Sequence, residues 1–332
     1  MKRFFIVIGV IVTALCLHPS FSFGVKGHTV TTKTSLGYDD SFDQPDGPFL
    51  NLYVDSKFPL PQYKRLKGVF RLQNGFKILR ETENTALNQV NLRCAFPLLS
   101  RLSAEILNEL KHKSVQDDYG YLSYDSGLSL IHNGSNFNSS ITYIYHQKDY
   151  GGEDYSDSKT KQIHFSLNRR VSYSLMGRFM GKWETIRFSG EEVTGKRIDK
   201  LSEFSLGFQW IDEILLNPSY AFQKNKSNDE DYSYYAHQLT ILTVAEIWWE
   251  ITMQFYGRFQ LRKLEAHDTS NASILDDDTD NTLHNLFIFS LSKDVLENSS
   301  LELRYLLSQA DLALSSEEYK KQTYSFAFTC SF

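Results

Sequence analysis

The C-terminal stretch Tyr324-Ser325-Phe326-Ala327-Phe328-Thr329-Cys330-Ser331-Phe332 alternates without a break. Tyr324, Phe326, Phe328, Cys330 and Phe332 fall on one side of an extended chain, and Ser325, Ala327, Thr329 and Ser331 on the other. Successive side chains of a β-strand point to opposite faces, so strict period two means two faces with different surroundings. The pattern recurs upstream. Trp249, Ile251, Met253, Phe255, Phe259 and Leu261 alternate with Glu250, Thr252, Gln254, Tyr256, Arg258, Gln260 and Arg262.

Alternation alone also suits a soluble β-sandwich, and length separates the two. Segments such as 28–39 and 245–263 exceed the about 5–6 residues of a typical soluble strand and match the about 9–11 tilted residues that cross a bilayer. The pattern predicts about sixteen strands: 28–38, 49–58, 65–79, 89–98, 102–111, 119–131, 138–148, 159–169, 172–186, 199–210, 213–224, 233–246, 249–263, 282–293, 299–309 and 320–332. Long acidic connections at 39–48, 149–157, 225–232 and 266–281 alternate with tight ones at Arg170-Val171, Ile211-Asp212 and Ile247-Trp248. Short turns on one side and longer loops on the other are the habit of membrane barrels. The expected fold is therefore all-β: a transmembrane, antiparallel, up-and-down β-barrel with both termini in the periplasm.

Composition agrees. Among 332 residues, 43 are Tyr or Phe while Pro (7) and Gly (18) are scarce, which favours strands over a loop-rich scaffold. The formal charge of -5 gives no broad nucleic-acid surface. A mean hydropathy of -0.36 excludes a multi-helix membrane protein but not a barrel, whose alternating residues average out. Met1-Lys2-Arg3, the apolar run Phe4 to Leu17 and the small residues at Ser20-Phe21-Ser22 have the form of a cleaved secretory signal peptide, residues 1–22, leaving 23–332 as the barrel domain. Cys16 follows Leu15, where a lipoprotein signal needs a small residue. Cys94 and Cys330 are expected to be packing residues rather than a disulfide framework.

The closing strand, ending on Phe332, resembles the C-terminal signal of Gram-negative outer-membrane β-barrels that the barrel assembly machinery recognises, with Cys330 where Tyr or Trp is more usual. Tyr324, Phe326, Phe328 and Phe332 are the residues of that signal. Leu36-Gly37-Tyr38-Asp39-Asp40-Ser41, and the last hairpin from Leu301-Glu302-Leu303-Arg304-Tyr305 through Tyr319, are similar to porin-type barrels, including the barrel domains of surface lipoprotein assembly modifiers. The resemblance implies an integral protein of the bacterial outer membrane, in contact with membrane lipid and lipopolysaccharide. The tetratricopeptide region that precedes some such barrels is not found in these 332 residues.

If the apolar faces meet lipid, the alternate positions line a lumen. They include Lys33, Lys67, Arg71, Lys77, Arg93, Lys111, Arg170, Arg178, Lys182, Arg258, Arg262 and Arg304, against Asp55, Glu105, Glu109, Asp125, Glu184, Glu203, Glu250 and Glu302. Sixteen strands leave an aqueous channel, and a cationic excess on its wall favours anions or sugar-like solutes. The expectation is a porin-like channel for passive diffusion of small hydrophilic solutes, whose charges also pair across strands and narrow it. An export or assembly barrel for a secreted polymer or surface lipoprotein, and a structural or adhesive barrel, are the alternatives.

No cofactor or metal is expected. The acidic connections contain Lys226 as their one Lys or Arg and suit divalent-cation bridging of lipopolysaccharide phosphates. Asp276, Asp278 and Asp280 begin like a calcium loop, but Asn281 and Phe287 occupy the places of its Gly and final Glu. His146 and His164 take inward parity and His237 outward parity. Without a G-x-S-x-G elbow or an H-E-x-x-H pair, no enzyme is expected. Tyr38, Tyr145, Trp183, Trp210, Tyr235 and Trp249 suit interfacial girdles.

Overall fold

A computed structural model describes residues 29–41, 47–60, 67–79, 85–115, 120–150, 157–189, 197–229, 232–264, 285–311 and 318–331. The expected signal peptide and Phe332 lie outside the described residues. Sixteen strands follow in order: β1 (Thr29–Ser41), β2 (Gly47–Pro59), β3 (Lys67–Leu79), β4 (Thr85–Pro97), β5 (Leu102–Val115), β6 (Tyr121–Asn133), β7 (Phe137–Tyr150), β8 (Asp157–Arg170), β9 (Leu175–Ser189), β10 (Ile198–Ile211), β11 (Ile214–Ser227), β12 (Tyr234–Ile247), β13 (Ile251–Leu264), β14 (Asn285–Leu296), β15 (Ser299–Asp311) and β16 (Glu318–Ser331). Each pairs antiparallel with its sequence neighbours, and β16 closes on β1. The barrel expected from period two is the one found.

The seam runs from Thr31 opposite Ser331 to Ser41 opposite Lys321. Its outward side stacks Thr34 on Phe328, Leu36 on Phe326 and Tyr38 on Tyr324, so three residues of the expected assembly signal form the lipid face of the closing strand. Its inward side is bridged by the Thr31 and Ser331 hydroxyls at 3.1 Å. Gly37 is needed here: a Cβ would collide with the Phe49 ring and the Tyr324 carbonyl oxygen.

The wall has no greasy core behind it. Among the described residues no large side chain is fully buried, and the buried apolar residues include small inward ones such as Ala221, Ala236 and Ala327. Large apolar residues instead crowd the outside: Leu36, Phe76, Leu128, Ile163, Leu206, Leu239, Leu303 and Phe326 are exposed. Water would not tolerate so much exposed apolar surface on a monomer, whereas a bilayer needs it. A two-sheet sandwich would bury these residues between its sheets.

The strand ends that flank the connections 42–46, 80–84, 116–120, 151–156, 190–197, 228–233, 265–284 and 312–317 form one rim of the barrel. The strand ends that flank 60–66, 98–101, 134–136, 171–174, 212–213, 248–250 and 297–298 form the other, the terminal end, with the start of β1 and the end of β16. By the rule that periplasmic turns are short, the terminal end faces the periplasm. The segment 60–66 is the exception, being longer than 42–46. The hairpin at Trp248–Glu250 departs from expectation, since β13 starts at Ile251 rather than 249. Trp249 and Glu250 both take φ of 60°. Two successive positive φ values make the twist of a type I′ hairpin, usually encoded by Asn-Gly; here Trp-Glu carries no such mark.

Inside and outside can be told apart by one experiment. Leu239 sits near the middle of β12 facing out, and Gln238 beside it faces in. Leu239→Arg should lower the unfolding free energy by about 2–4 kcal/mol, and Gln238→Arg should leave it nearly unchanged, in urea titrations of protein refolded into phospholipid vesicles. Equal losses for the two substitutions would contradict this orientation.

Candidate functional site

The register turns the inward rows into a polar wall. Lys67, Arg71, Lys77, Arg93, Arg178, Lys182, Glu184, Arg258, Arg262, Glu302 and Arg304 all take inward strand positions. Glu250 does not: it lies exposed in the Trp248–Glu250 turn at the terminal end, because the left-handed pair breaks the alternation that placed it on a strand. Lys57, Lys113, Lys148, Arg197 and Lys321 also face inward. Lys57, Lys148 and Lys321 lie within the strands expected at 49–58, 138–148 and 320–332 and share their inward parity, while Lys113 and Arg197 fall two residues outside those expected at 102–111 and 199–210.

Around β1–β3 and β15, Lys33 Nζ bridges across β16 to Glu302 Oε2 at 2.6 Å. Asp55 is buried and takes a two-pronged bond from Arg71, Nε to Oδ1 at 2.8 Å and a terminal nitrogen to Oδ2 at 2.6 Å. Such paired parallel bonds fix both groups in plane and are the strong form of the Arg–carboxylate contact. Lys57 Nζ stands 4.0 Å from the same carboxylate. A recess of about 450 Å³ in this sector is lined by Lys33, Asn51, Lys77, Glu302, Arg304 and Thr323, among others.

Farther round, Arg93 pairs with Glu105 at 3.0 Å, and Asn91 donates to Glu109 at 2.9 Å. Lys182 pairs with Glu184 at 2.5 Å, and Arg178 donates to Asn168 at 3.2 Å. Gln223 donates to Glu203 at 2.9 Å and accepts from Gln260 at 3.2 Å, a polar belt across β10 to β13. At the outer mouth, Arg197 is sandwiched between Phe188 and Tyr232, at 3.7 and 3.8 Å from their ring centres, with Asp199 at 3.5 Å from its Nε. Arg262 stacks on Tyr234 at 3.7 Å. A few strands away, Lys111, Lys113 and Lys148 gather within 6 Å of the Tyr121 ring. Ion pairing of the interior was expected, and the wall shows it for some charges while stacking others on aromatic rings.

Histidines are dispersed: His146 bonds to Asp125 inside, His164 stands on the adjacent inward row, and His237 bonds the Tyr220 hydroxyl at 2.6 Å on the outer face. Among the described residues no group of three His, Cys, Asp or Glu could hold a metal ion. The calcium-like start at Asp276, Asp278 and Asp280 lies outside the described residues. Cys94 and Cys330 are free thiols; Cys330 accepts from Ser299 at 3.4 Å. Of the expected girdle aromatics, Tyr38, Tyr235 and Trp210 stand toward strand ends, whereas Trp183 is mid-strand against Phe204.

The fold and its wall define a transmembrane β-barrel of the outer-membrane type. No protein-family model matches the chain, and no curated protein matches it in sequence. Solved structures do match in fold. The outer membrane protein OprD from Pseudomonas aeruginosa is similar at a TM-score of 0.55 and 7% identity, covering 93% of this chain and 95% of that one. OpdL from Pseudomonas aeruginosa is similar at 0.53 and 9% identity, covering 92% and 98%. CdiB from Acinetobacter baumannii is similar at 0.51 and 8% identity, covering 91% of this chain and 60% of that one.

The bidentate pair offers a quantitative check. A double-mutant cycle over Asp55→Ala and Arg71→Ala should give a coupling energy of roughly 0.5–3 kcal/mol, toward the low end because lumen water reaches the arginine. Strict additivity in unfolding titrations would show that the two side chains do not act together.

Proposed function

We propose that the protein is an outer-membrane channel for passive diffusion of small hydrophilic solutes, with anions or sugars favoured. The observation that carries this reading is a closed wall of sixteen strands whose inward rows are charged and polar throughout. A barrel of this size has room for water along its axis, unlike an eight-stranded one that side chains fill. Inward cations outnumber inward acids, with Lys57, Lys113, Lys148, Arg197 and Lys321 joining the cations and Asp199, Glu246 and Asp294 joining the acids. Field lines in a channel with low-dielectric walls are focused along it, so the surplus raises the local concentration of anions. Stacked Arg and Tyr side chains at the mouth suit sugar rings as well as charge.

Export through a cleaved leader at residues 1–22, and insertion of 23–332 by the barrel assembly machinery through Tyr324, Phe326, Phe328 and Phe332, complete the proposal. Outward aromatic side chains alternating down the closing strand support that role for the first three.

Planar-bilayer recording of purified protein tests the channel. Stepwise conductance should appear, and the reversal potential in a potassium chloride gradient should show chloride preferred. Lys77→Glu with Arg304→Glu, both on the recess wall, should lower the chloride-to-potassium permeability ratio by roughly twofold or more, in keeping with the selectivity that charged rings impose. Absence of conductance steps at any voltage or salt would remove the channel reading, and conductance that needs an added secreted partner would favour an export barrel.

A further inference from the structure

The outward face of four consecutive strands carries a charge pattern unlike the rest of the wall. Near the long-connection rim, Lys159 and Lys161 of β8, Arg187 of β9, Lys200 of β10 and Lys224 and Lys226 of β11 are all exposed and all outward. The register sets Lys159 directly opposite Arg187, and Lys200 directly opposite Lys226. Directly opposed residues have Cβ atoms about 4.5–5.5 Å apart, and like charges there destabilise the sheet. Thr185, opposite both Lys161 and Lys200, stands between the two pairs, where an acid would have relieved the repulsion.

Carboxylates occur only at the border of the patch, among the described residues. Asp149 of β7 accepts from the Gln147 side chain at 3.0 Å, Asp157 accepts the Tyr150 backbone N–H at 2.8 Å, and Asp229 lies beyond the end of β11. Lys224 leans on Tyr235, donating to its hydroxyl at 3.0 Å. Around the same rim the other strands present groups such as Tyr38, Leu50, Asn88, His112 and Tyr124 outward. Among the described side chains, the exposed outward cations of this rim are thus gathered on one sector. Toward the bilayer centre the same strands turn apolar: Ile163, Trp183, Phe204 and Phe222 follow, with Trp183 edge-on to Phe204 at 5.4 Å.

A ligand that fits must bring phosphate-like charge at headgroup height and hydrocarbon directly below it. Four strands at about 4.8 Å spacing span roughly 15 Å, wide enough for more than one phosphate. We propose that this face of β8–β11 is a binding site for the phosphorylated glycolipid of the outer leaflet. The cations take its phosphates in charge-assisted hydrogen bonds and the aromatic rows take its acyl chains. The site lies outside the lumen and is independent of whether the barrel conducts. It also differs from cation bridging by the acidic connections, because the contact is direct.

The test uses the whole protein in a neutral detergent, titrated with purified bisphosphorylated lipid A while thermal unfolding is followed. Lipid A should raise the melting temperature, chelator should leave that rise in place, and dephosphorylated lipid A or inorganic phosphate should not reproduce it. The variant Lys159→Gln, Arg187→Gln, Lys200→Gln and Lys226→Gln should bind lipid A roughly tenfold or more weakly, as expected when basic residues near an anionic headgroup are neutralised. Without lipid the same variant should be at least as stable as the parent, since two repulsive pairs are gone, which separates lost binding from lost folding. Equal stabilisation of parent and variant, abolition by chelator, or a full effect from inorganic phosphate alone would each overturn the proposal.

Discussion

Every backbone N–H and C=O in the hydrocarbon of a bilayer must find a partner within the protein, because no water is there to supply one and each orphan costs several kcal/mol. A sheet meets that demand only by curling until its last strand pairs with its first. The pairing of β16 with β1 is therefore the contact on which the rest hangs. Closure sets a tube, the tube sets an inside and an outside, and period two then sends each residue to one or the other. The Gly37 position, the Phe49 ring and the outward Tyr38–Tyr324 stack all belong to this seam, where two ends of the chain meet.

Closure also explains why so many charges are tolerated inside. A buried ion pair in a dry core has a desolvation cost that can exceed its Coulombic gain. Lumen water removes most of that cost, so Arg93 with Glu105 or Lys33 with Glu302 can line the wall while keeping part of their hydration. Where water is thinner the chain uses tighter arrangements. Asp55 is buried and has the two-pronged arginine, and Arg197 is enclosed by two aromatic rings. The wall is thus both a scaffold and the source of an electrostatic field along the lumen.

The outer surface is not uniform either. Its middle band is mainly apolar, but the rim nearest the long connections is cationic on β8–β11, bordered by Asp149 on β7, and polar, aliphatic or aromatic elsewhere among the described side chains. That asymmetry matches an outer leaflet rich in phosphate and gives the barrel a preferred side toward particular lipids. It sits beside the stacked arginines Arg197 and Arg262 on the inner face of neighbouring strands, so one sector carries both the lipid contact and a wall of the mouth.

Strand number, the direction of each face and the membrane setting were legible in the residues themselves, because period two is a local property and survives whatever the neighbours do. The inward parity of Arg71, Arg93, Arg178 and Arg304 followed from the same rule, as did the outward Phe326 and Phe328. Glu250 escaped it, since two left-handed residues at Trp249 and Glu250 carry no glycine or asparagine to announce a turn. Two strand ends escaped too, leaving Lys113 and Arg197 off the inner wall until the structure placed them. Pairing partners lay further out of reach. That Arg71 grips Asp55, that Lys33 reaches over β16 to Glu302, and that Lys159 faces Arg187 while Lys200 faces Lys226 are consequences of stagger between strands. Alternation says which side a residue takes, and only the hydrogen-bonded register of the closed sheet says which residue stands next to it.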